Sequence, residues 1–335
     1  MVADPLGRNA DAFWYVGPGR AEIRAEPLAE PGPGDVRVRA LYSSISRGTE
    51  RLVSSGRVPE TEYERMRGPA MAGAFPFPVK YGYAMVGRVE RGPPDLQDRI
   101  VFALHPHQTL FNSPSEHVLA VPDGVPPARA VLAANMETAL NAVWDAAPGP
   151  ADTIAVVGAG IVGSLVAWLC SSLAGARVTL IDVEPSRERF ARALGVGFAS
   201  PSGGPRDCDL VVHASGNAQG LKTALGLAGE ETTVLELSWH GSGDIAIPLG
   251  GAFHSRRLKL VSSQVGRVAS SRRTRWTPRR RLAAALDLLR DPRLDALIAP
   301  AVGFYQLPEL LSDIFSSTTG APCPLVAYPA AEPAA

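Results

Sequence analysis

The stretch Ile154-Ala155-Val156-Val157-Gly158-Ala159-Gly160-Ile161-Val162-Gly163 runs a β-branched segment into three glycines spaced G-x-G-x-x-G. That spacing has a physical use. A glycine at 158 lets the chain turn sharply after a strand, one at 160 lets backbone approach a phosphate with no Cβ between, and one at 163 lets the following helix pack close to the strand. The helix opening at Ile161 and Val162 would then present free N–H groups and the positive end of its dipole to a pyrophosphate. Asp182 follows about 20 residues after Gly163, at the end of a second apolar run, where a carboxylate meets the hydroxyls of an adenosine ribose. A carboxylate there repels a 2′-phosphate, so the pattern favours NAD over NADP. Arg187, just beyond, is the residue that could flank the adenosine instead. A glycine-rich turn with no ligand is the alternative to this dinucleotide reading.

The elements needed to hold such a site can be read from the pattern around it. From Asp152 onward apolar strands alternate with helices: a strand at 153–157, a helix at 162–174, a strand at 177–182 and a helix from about 186 to 194. Further strands are expected at 210–213, 233–237 and 258–262. Alternation of this kind implies a parallel sheet covered on both faces. Ser215 and Ser238-Trp239-His240 follow two of those strands, at the carboxyl end where ligands bind. Ser215 and Ser238 are expected to lie along the dinucleotide, and Trp239 to wall the reacting ring or pack an interface. Before residue 127 the chain reads as short strands at 21–24, 35–42, 82–91 and 98–104, broken by Gly and Pro clusters such as Pro31-Gly32-Pro33-Gly34, which suggests a small barrel. A helix is expected over 127–146, then helices at 280–290 and 307–315 and a last strand at 324–328.

Bulk properties narrow the classes. The chain has 335 residues, 46% hydrophobic, enough for two domains. Acidic and basic residues balance at 33 each, so no global field attracts nucleic acid or an anionic membrane. The Arg272–Arg281 run reads as a solvated loop entering a helix rather than a polyanion site. Three scattered cysteines, Cys170, Cys208 and Cys323, give neither a disulfide framework nor a metal-binding lobe. The first residues show no basic leader or apolar core of a signal peptide, and a cytoplasmic protein with a frayed tail at 329–335 is expected.

With these segments in order, the chain resembles the medium-chain dehydrogenase/reductase superfamily, the zinc alcohol dehydrogenase fold. The likeness rests on Gly82-Tyr83-Ala84-Met85-Val86-Gly87-Arg88-Val89, on Asp98-Arg99-Ile100-Val101, on the glycine turn and on the returning segment 304–328. Ser44-Ile45-Ser46-Arg47-Gly48-Thr49-Glu50 looks like the branch containing bacteriochlorophyllide 3-hydroxyethyl dehydrogenase. The resemblance implies an α/β protein: a GroES-like β-barrel catalytic domain (1–134 and 297–335) and a Rossmann domain (135–296). It also implies hydride transfer between NAD(P) and a small alcohol or carbonyl substrate, with a homodimer as candidate assembly. A zinc-free enone or quinone reductase and a non-catalytic NAD sensor are the alternatives.

The family's metal site is what the sequence departs from. The Cys position carries Ser46 or Arg47, the Gly-His-Glu triplet reads Gly82-Tyr83-Ala84, and of the three ligand positions only Glu137 keeps a possible ligand. Zinc needs three or four N, S or O ligands, so no catalytic zinc is expected. His105 and His107 are a substitute pair only if Pro106 allows a strand; hydrogen-bonded histidines are the plainer reading. Without a metal the developing alkoxide must be met by fixed donors or a cation. Arg47 with Thr49 is the expected electrophile, Tyr83 a candidate proton donor, and Lys80 either a donor or a surface lysine. Glu50 is expected to pair with a basic neighbour.

Overall fold

The structure, a computed structural model, describes residues 9–330. The leader and tail readings fall partly on residues 1–8 and 331–335, outside the described residues. The chain divides into two compact units, one from the residues up to Ala134 with Ile298–Ser317 and the residues from Cys323 onward, the other from Asn135–Leu297 with Thr318–Pro322.

The first unit is built on two sheets. Arg20–Pro27, Asn9–Gly17, Val79–Lys80 and Ala72–Gly73 form an antiparallel four-stranded sheet in that order. A seven-stranded sheet runs Val302–Gly303, Leu325–Ala327, Asp35–Ser44, Met85–Arg91, Ile100–Ala103, Val118–Ala120, with Leu110–Pro114 also paired to Asp35–Ser44. Alternate residues Val36, Val38 and Ala40 enter one core with Met85, Val89 and Phe111, as a pleated strand with one buried face requires. Gly87 opposite Ala40 has no room for a Cβ, which would stand 2.4 Å from the Arg39 carbonyl.

The second unit carries a six-stranded, wholly parallel sheet: Gly197–Ala199, Arg177–Ile181, Thr153–Val157, Cys208–His213, Ala228–Glu236, Lys259–Ser262. Numbered along the chain within this unit, the strand order is 3-2-1-4-5-6, that of a doubly wound dinucleotide-binding fold. Helices Ile161–Ser171 and Ala218–Leu227 pack on its strands. Ala155, Val157, Val211, Leu221, Leu225 and Val234 meet in its core. The fold is thus α/β, a GroES-like β-rich unit with a Rossmann sheet. No helix among the described residues is long and apolar enough to cross a membrane.

Several boundaries move from those the sequence suggests. The helix expected over 127–146 is two, Pro127–Ala130 and Ala133–Ala146, because Leu132 N donates to the Arg129 carbonyl three residues back and tightens the chain. The helix expected at 280 starts at Pro278, with Thr277 capping Arg280 N at 3.1 Å. Asn9–Gly17 and Leu110–Pro114 are strands that the pattern reading passed over. Residues 318–322 pack with the second unit, where Arg189 Nη2 and Arg187 Nη1 donate to the Thr319 and Gly320 carbonyls at 2.7 and 3.0 Å.

Glycines 163 and 226 lie in helices of the Rossmann unit but in opposite surroundings. A Cβ at Gly163 would meet the Gly158 carbonyl oxygen at 2.0 Å, whereas at Gly226 nothing lies within 4 Å. Gly163→Ala is expected to destabilise by about 1–3 kcal/mol through the forced backbone shift. Gly226→Ala should stabilise by up to about 1 kcal/mol through helix propensity. Urea unfolding of the two variants checks this, and equal signs would contradict it.

Candidate active site

The glycine turn sits between the strand Thr153–Val157 and the helix Ile161–Ser171. Gly158 has φ +109°, and a Cβ there would press to 2.7 Å on the backbone of Ala214 and Ser215. Gly160 is the helix N-cap and a Cβ on it would meet nothing within 4 Å. Its outer face is open, which is the geometry for close approach by a phosphate at a helix N-terminus. Ile161 and Val162, half-buried, begin the helix.

Asp182, just past the strand Arg177–Ile181, is already bound into this turn. Its Oδ2 accepts from Ala159 N at 2.7 Å and its Oδ1 from Glu184 N at 2.9 Å. Val183 beside it is 80% exposed, an apolar side chain offered next to the carboxylate. Arg187 is buried against Phe190 and donates to the Gly320 carbonyl, so its guanidinium already has protein partners.

At the carboxyl ends of the next two strands, Ser215 and Ser238 belong to a linked set. His213 donates from Nδ1 to Glu236 at 2.7 Å and accepts at Nε2 from Ser215 Oγ at 2.7 Å. Glu236 Oε1 accepts from Ser238 N at 2.7 Å, and Ser238 Oγ accepts from Gly216 N at 3.1 Å. Burial pushes the Glu236 carboxyl up, but the bonds from His213 and Ser238 outweigh it and hold the group below its ordinary value. Residues His213, Glu236 and His240 were not singled out as ligands from the sequence. The available signal was that His213 and Glu236 are polar residues ending neighbouring apolar strands.

The first unit holds a second polar cluster. The fully buried Glu50 accepts from Tyr15 OH at 2.7 Å, from Ser46 N at 2.8 Å and from His107 Nε2 at 3.0 Å. His107 passes the chain on, accepting at Nδ1 from Ser43 Oγ at 2.8 Å, which also contacts Tyr328 OH at 2.9 Å. The basic neighbour expected for Glu50 is therefore His107. Glu50 fixes the loop on which Thr49 N donates to Ser46 Oγ at 3.2 Å, and the hydroxyls of Ser46 and Thr49 both bond that of Tyr83. Burial pushes the Tyr83 phenol up to about 12, against the pull of those two hydroxyls.

The other candidates fall elsewhere. Arg47 lies on the same loop, with Nε donating to the Ile314 carbonyl at 2.9 Å. Glu137 is in the second unit, buried, and receives Arg281 Nε at 3.0 Å; burial raises its carboxyl against the pull of that guanidinium. Within the second unit Glu137 is thus engaged in an ion pair, and Arg281, 2% exposed, departs from a fully solvated basic run. Lys80 is no surface lysine: it is buried, with Nζ on Glu26 at 2.6 Å and Gln108 at 3.0 Å. His105 stacks on Phe111, and burial lowers its imidazole to about 3. The residues that the resemblance assigns to the zinc positions are a loop serine and arginine, a buried tyrosine and an ion-paired glutamate, of which an arginine cannot ligate and the glutamate is already paired.

Known proteins bear on these observations in two ways. No family model matches the chain. Among curated proteins it is 27% identical over 226 residues to 2-desacetyl-2-hydroxyethyl bacteriochlorophyllide A dehydrogenase of Rhodobacter capsulatus, a match covering 61% of this chain and 65% of that one. It is 26% identical over 295 residues to 5-exo-hydroxycamphor dehydrogenase of Pseudomonas putida, covering 70% of this chain and 77% of that one. Among solved structures, acetophenone reductase from Geotrichum candidum in complex with NAD superposes with a TM-score of 0.76 at 16% identity, over 98% of each chain. The 2R,3R-butanediol dehydrogenase from Bacillus subtilis gives 0.73 at 15% identity, over 95% of this chain and 99% of that one. The chain is thus similar in sequence to curated dehydrogenases and shares the two-unit fold of solved alcohol dehydrogenase-like proteins.

Proposed function

We propose that this protein is an NAD-dependent oxidoreductase that interconverts a small alcohol and its carbonyl compound without a catalytic zinc. The observation that carries the reading is the glycine turn at a helix N-terminus closed by Asp182, whose Oδ2 accepts from Ala159 N at 2.7 Å. When bound, NAD supplies the hydride acceptor or donor. Gly158, Gly160, Gly163 and the first turn at Ile161 and Val162 hold its pyrophosphate. Asp182 accepts from the adenosine ribose and disfavours a 2′-phosphate, and Ser215 and Ser238 line the carboxyl end of the sheet.

Around the substrate oxygen, Tyr83 is the proton donor. Its phenol, raised to about 12 by burial, is neutral at ordinary pH and can give its proton to a carbonyl oxygen while Ser46 and Thr49 solvate the phenolate that develops. Arg47, anchored through Nε on Ile314, adds a fixed positive charge on the same loop. Glu50 touches no substrate and positions the loop. A cytoplasmic location accords with three buried free thiols. The edge strand Lys259–Ser262, with exposed Val261 and nearby exposed Leu249 and Ile245, supports a homodimer paired through that edge.

Cofactor choice is tested by fluorescence titration with NADH and NADPH. The native protein should prefer NADH, and Asp182→Ala should weaken NADH by roughly 10- to 100-fold, as for loss of a charged hydrogen-bond partner. Tighter native binding of NADPH would overturn the reading.

For the chemistry, Tyr83→Phe should lower kcat of carbonyl reduction by about 10²–10⁴ with NADH affinity unchanged, and Arg47→Ala by a smaller factor. A phenol at about 12 stays protonated past the range near 10 where ordinary tyrosines ionise. Reduction should therefore not fall with a midpoint near the ordinary tyrosine value. Activity lost on chelation and desalting, and restored by zinc in the native chain and in His240→Ala alike, would contradict catalysis without zinc. Assembly is checked by light scattering after size exclusion: dimer for the native chain, monomer for Val261→Asp, with a native monomer as the refuting result.

A further inference from the structure

His213, Glu236 and His240 are the one group of three such residues among the described residues whose ligand atoms gather tightly, all within 4.8 Å of one another. We infer that they form a binding site for a divalent transition metal, separate from the family's zinc positions. His213 ends the strand Cys208–His213, Glu236 ends the neighbouring Ala228–Glu236, and His240 lies four residues on in the following loop. The sheet itself sets the first two: His213 and Glu236 are register partners in a parallel pair.

What distinguishes the group from a chance cluster is the support behind it. His213 Nδ1 faces the Glu236 carboxylate at 2.7 Å, while its far nitrogen, Nε2, is held by Ser215 Oγ at 2.7 Å. A ligating histidine is oriented in this way, with the ring nitrogen away from the metal bonded to a fixed partner. Glu236 Oε1 is steadied by Ser238 N, and Oε2 stands 3.6 Å from His240 Nε2. The two imidazoles lie near parallel, 15° apart with centroids at 6.1 Å. Gly220 leaves space for this outer layer, since a Cβ there would stand 2.0 Å from Ser215 Oγ and 2.9 Å from His213 Nε2.

Loading the site moves one proton. Metal-free, the His213 ring proton is on Nδ1, toward Glu236. With a metal on Nδ1 it sits on Nε2, and Ser215 changes from donor to acceptor. Glu236 exchanges an imidazole N–H for the cation and needs no proton transfer of its own. Two imidazoles and one carboxylate suit Zn²⁺, Co²⁺ or Ni²⁺ rather than Mg²⁺ or Ca²⁺, and leave a fourth position for water or Ser238 Oγ, which lies 3.4 Å from His213 Nδ1.

The test uses full-length protein stripped by a chelator and desalted, titrated with CoCl₂ and followed by its d–d absorption, with ZnCl₂ calorimetry in parallel. One equivalent should bind with the intense visible bands of four- or five-coordinate cobalt, and Mg²⁺ should not compete. His240→Ala and Glu236→Gln should each abolish the bands or weaken binding by more than about tenfold, and Ser215→Ala by about 10- to 100-fold as an outer partner. His240 is partly exposed, so its variant tests ligation without opening the core; thermal melting confirms that it folds. Absence of the bands, or bands that persist in both His240→Ala and Glu236→Gln, overturns the assignment. Bands lost instead in Glu137→Gln place the metal elsewhere and also overturn it.

Discussion

The first unit depends on one buried carboxylate. Glu50 is fully inside the protein and is acceptable there because Tyr15, His107 and the backbone of Ser46 all donate to it. Each of those donors comes from a different part of the unit: the strand Asn9–Gly17, the segment after Ile100–Ala103, and the loop that precedes Thr49. Remove the carboxylate and three donors, two of them buried, lose their acceptor at once. The Ser46–Thr49–Tyr83 hydroxyls keep their mutual geometry only while that loop is tied down.

The Rossmann unit rests on close backbone approach instead. Gly158 and Gly163 are in contact across the turn, with no space for a side chain at either. This is why the cofactor half was legible in the sequence: turn, helix and acidic strand end are all encoded within about thirty residues, and glycine at fixed spacing has few other uses. The polar cluster of the first unit was legible only as a list of residue types. Tyr83 and Thr49 could be named, but that Ser46 joins them, that Arg47 leans on Ile314, and that Glu137 is taken up by Arg281 depend on contacts between segments far apart in the chain.

The same limit explains the misread elements. Asn9–Gly17 opens with Asn-Ala-Asp-Ala, which lacks strand character until Phe13, and is held in place by pairing with Arg20–Pro27 and Val79–Lys80. Lys80 looked like a surface lysine because lysines usually are; its burial comes from Glu26, on a strand in the same sheet. His213 and Glu236 are 23 residues apart, and only the parallel register makes them neighbours.

Both carboxylate oxygens of Asp182 are fixed by the protein's own backbone, through Ala159 N and Glu184 N. Its rotamer entropy is therefore lost during folding, and on the function proposed above a ribose that meets it has only its own freedom to give up. Selectivity of the kind proposed would be stiff. A longer carboxylate such as glutamate keeps the charge but not the two backbone contacts, so the glycine turn and the choice of nucleotide would be expected to change together, as one inherited unit rather than two adjustable traits.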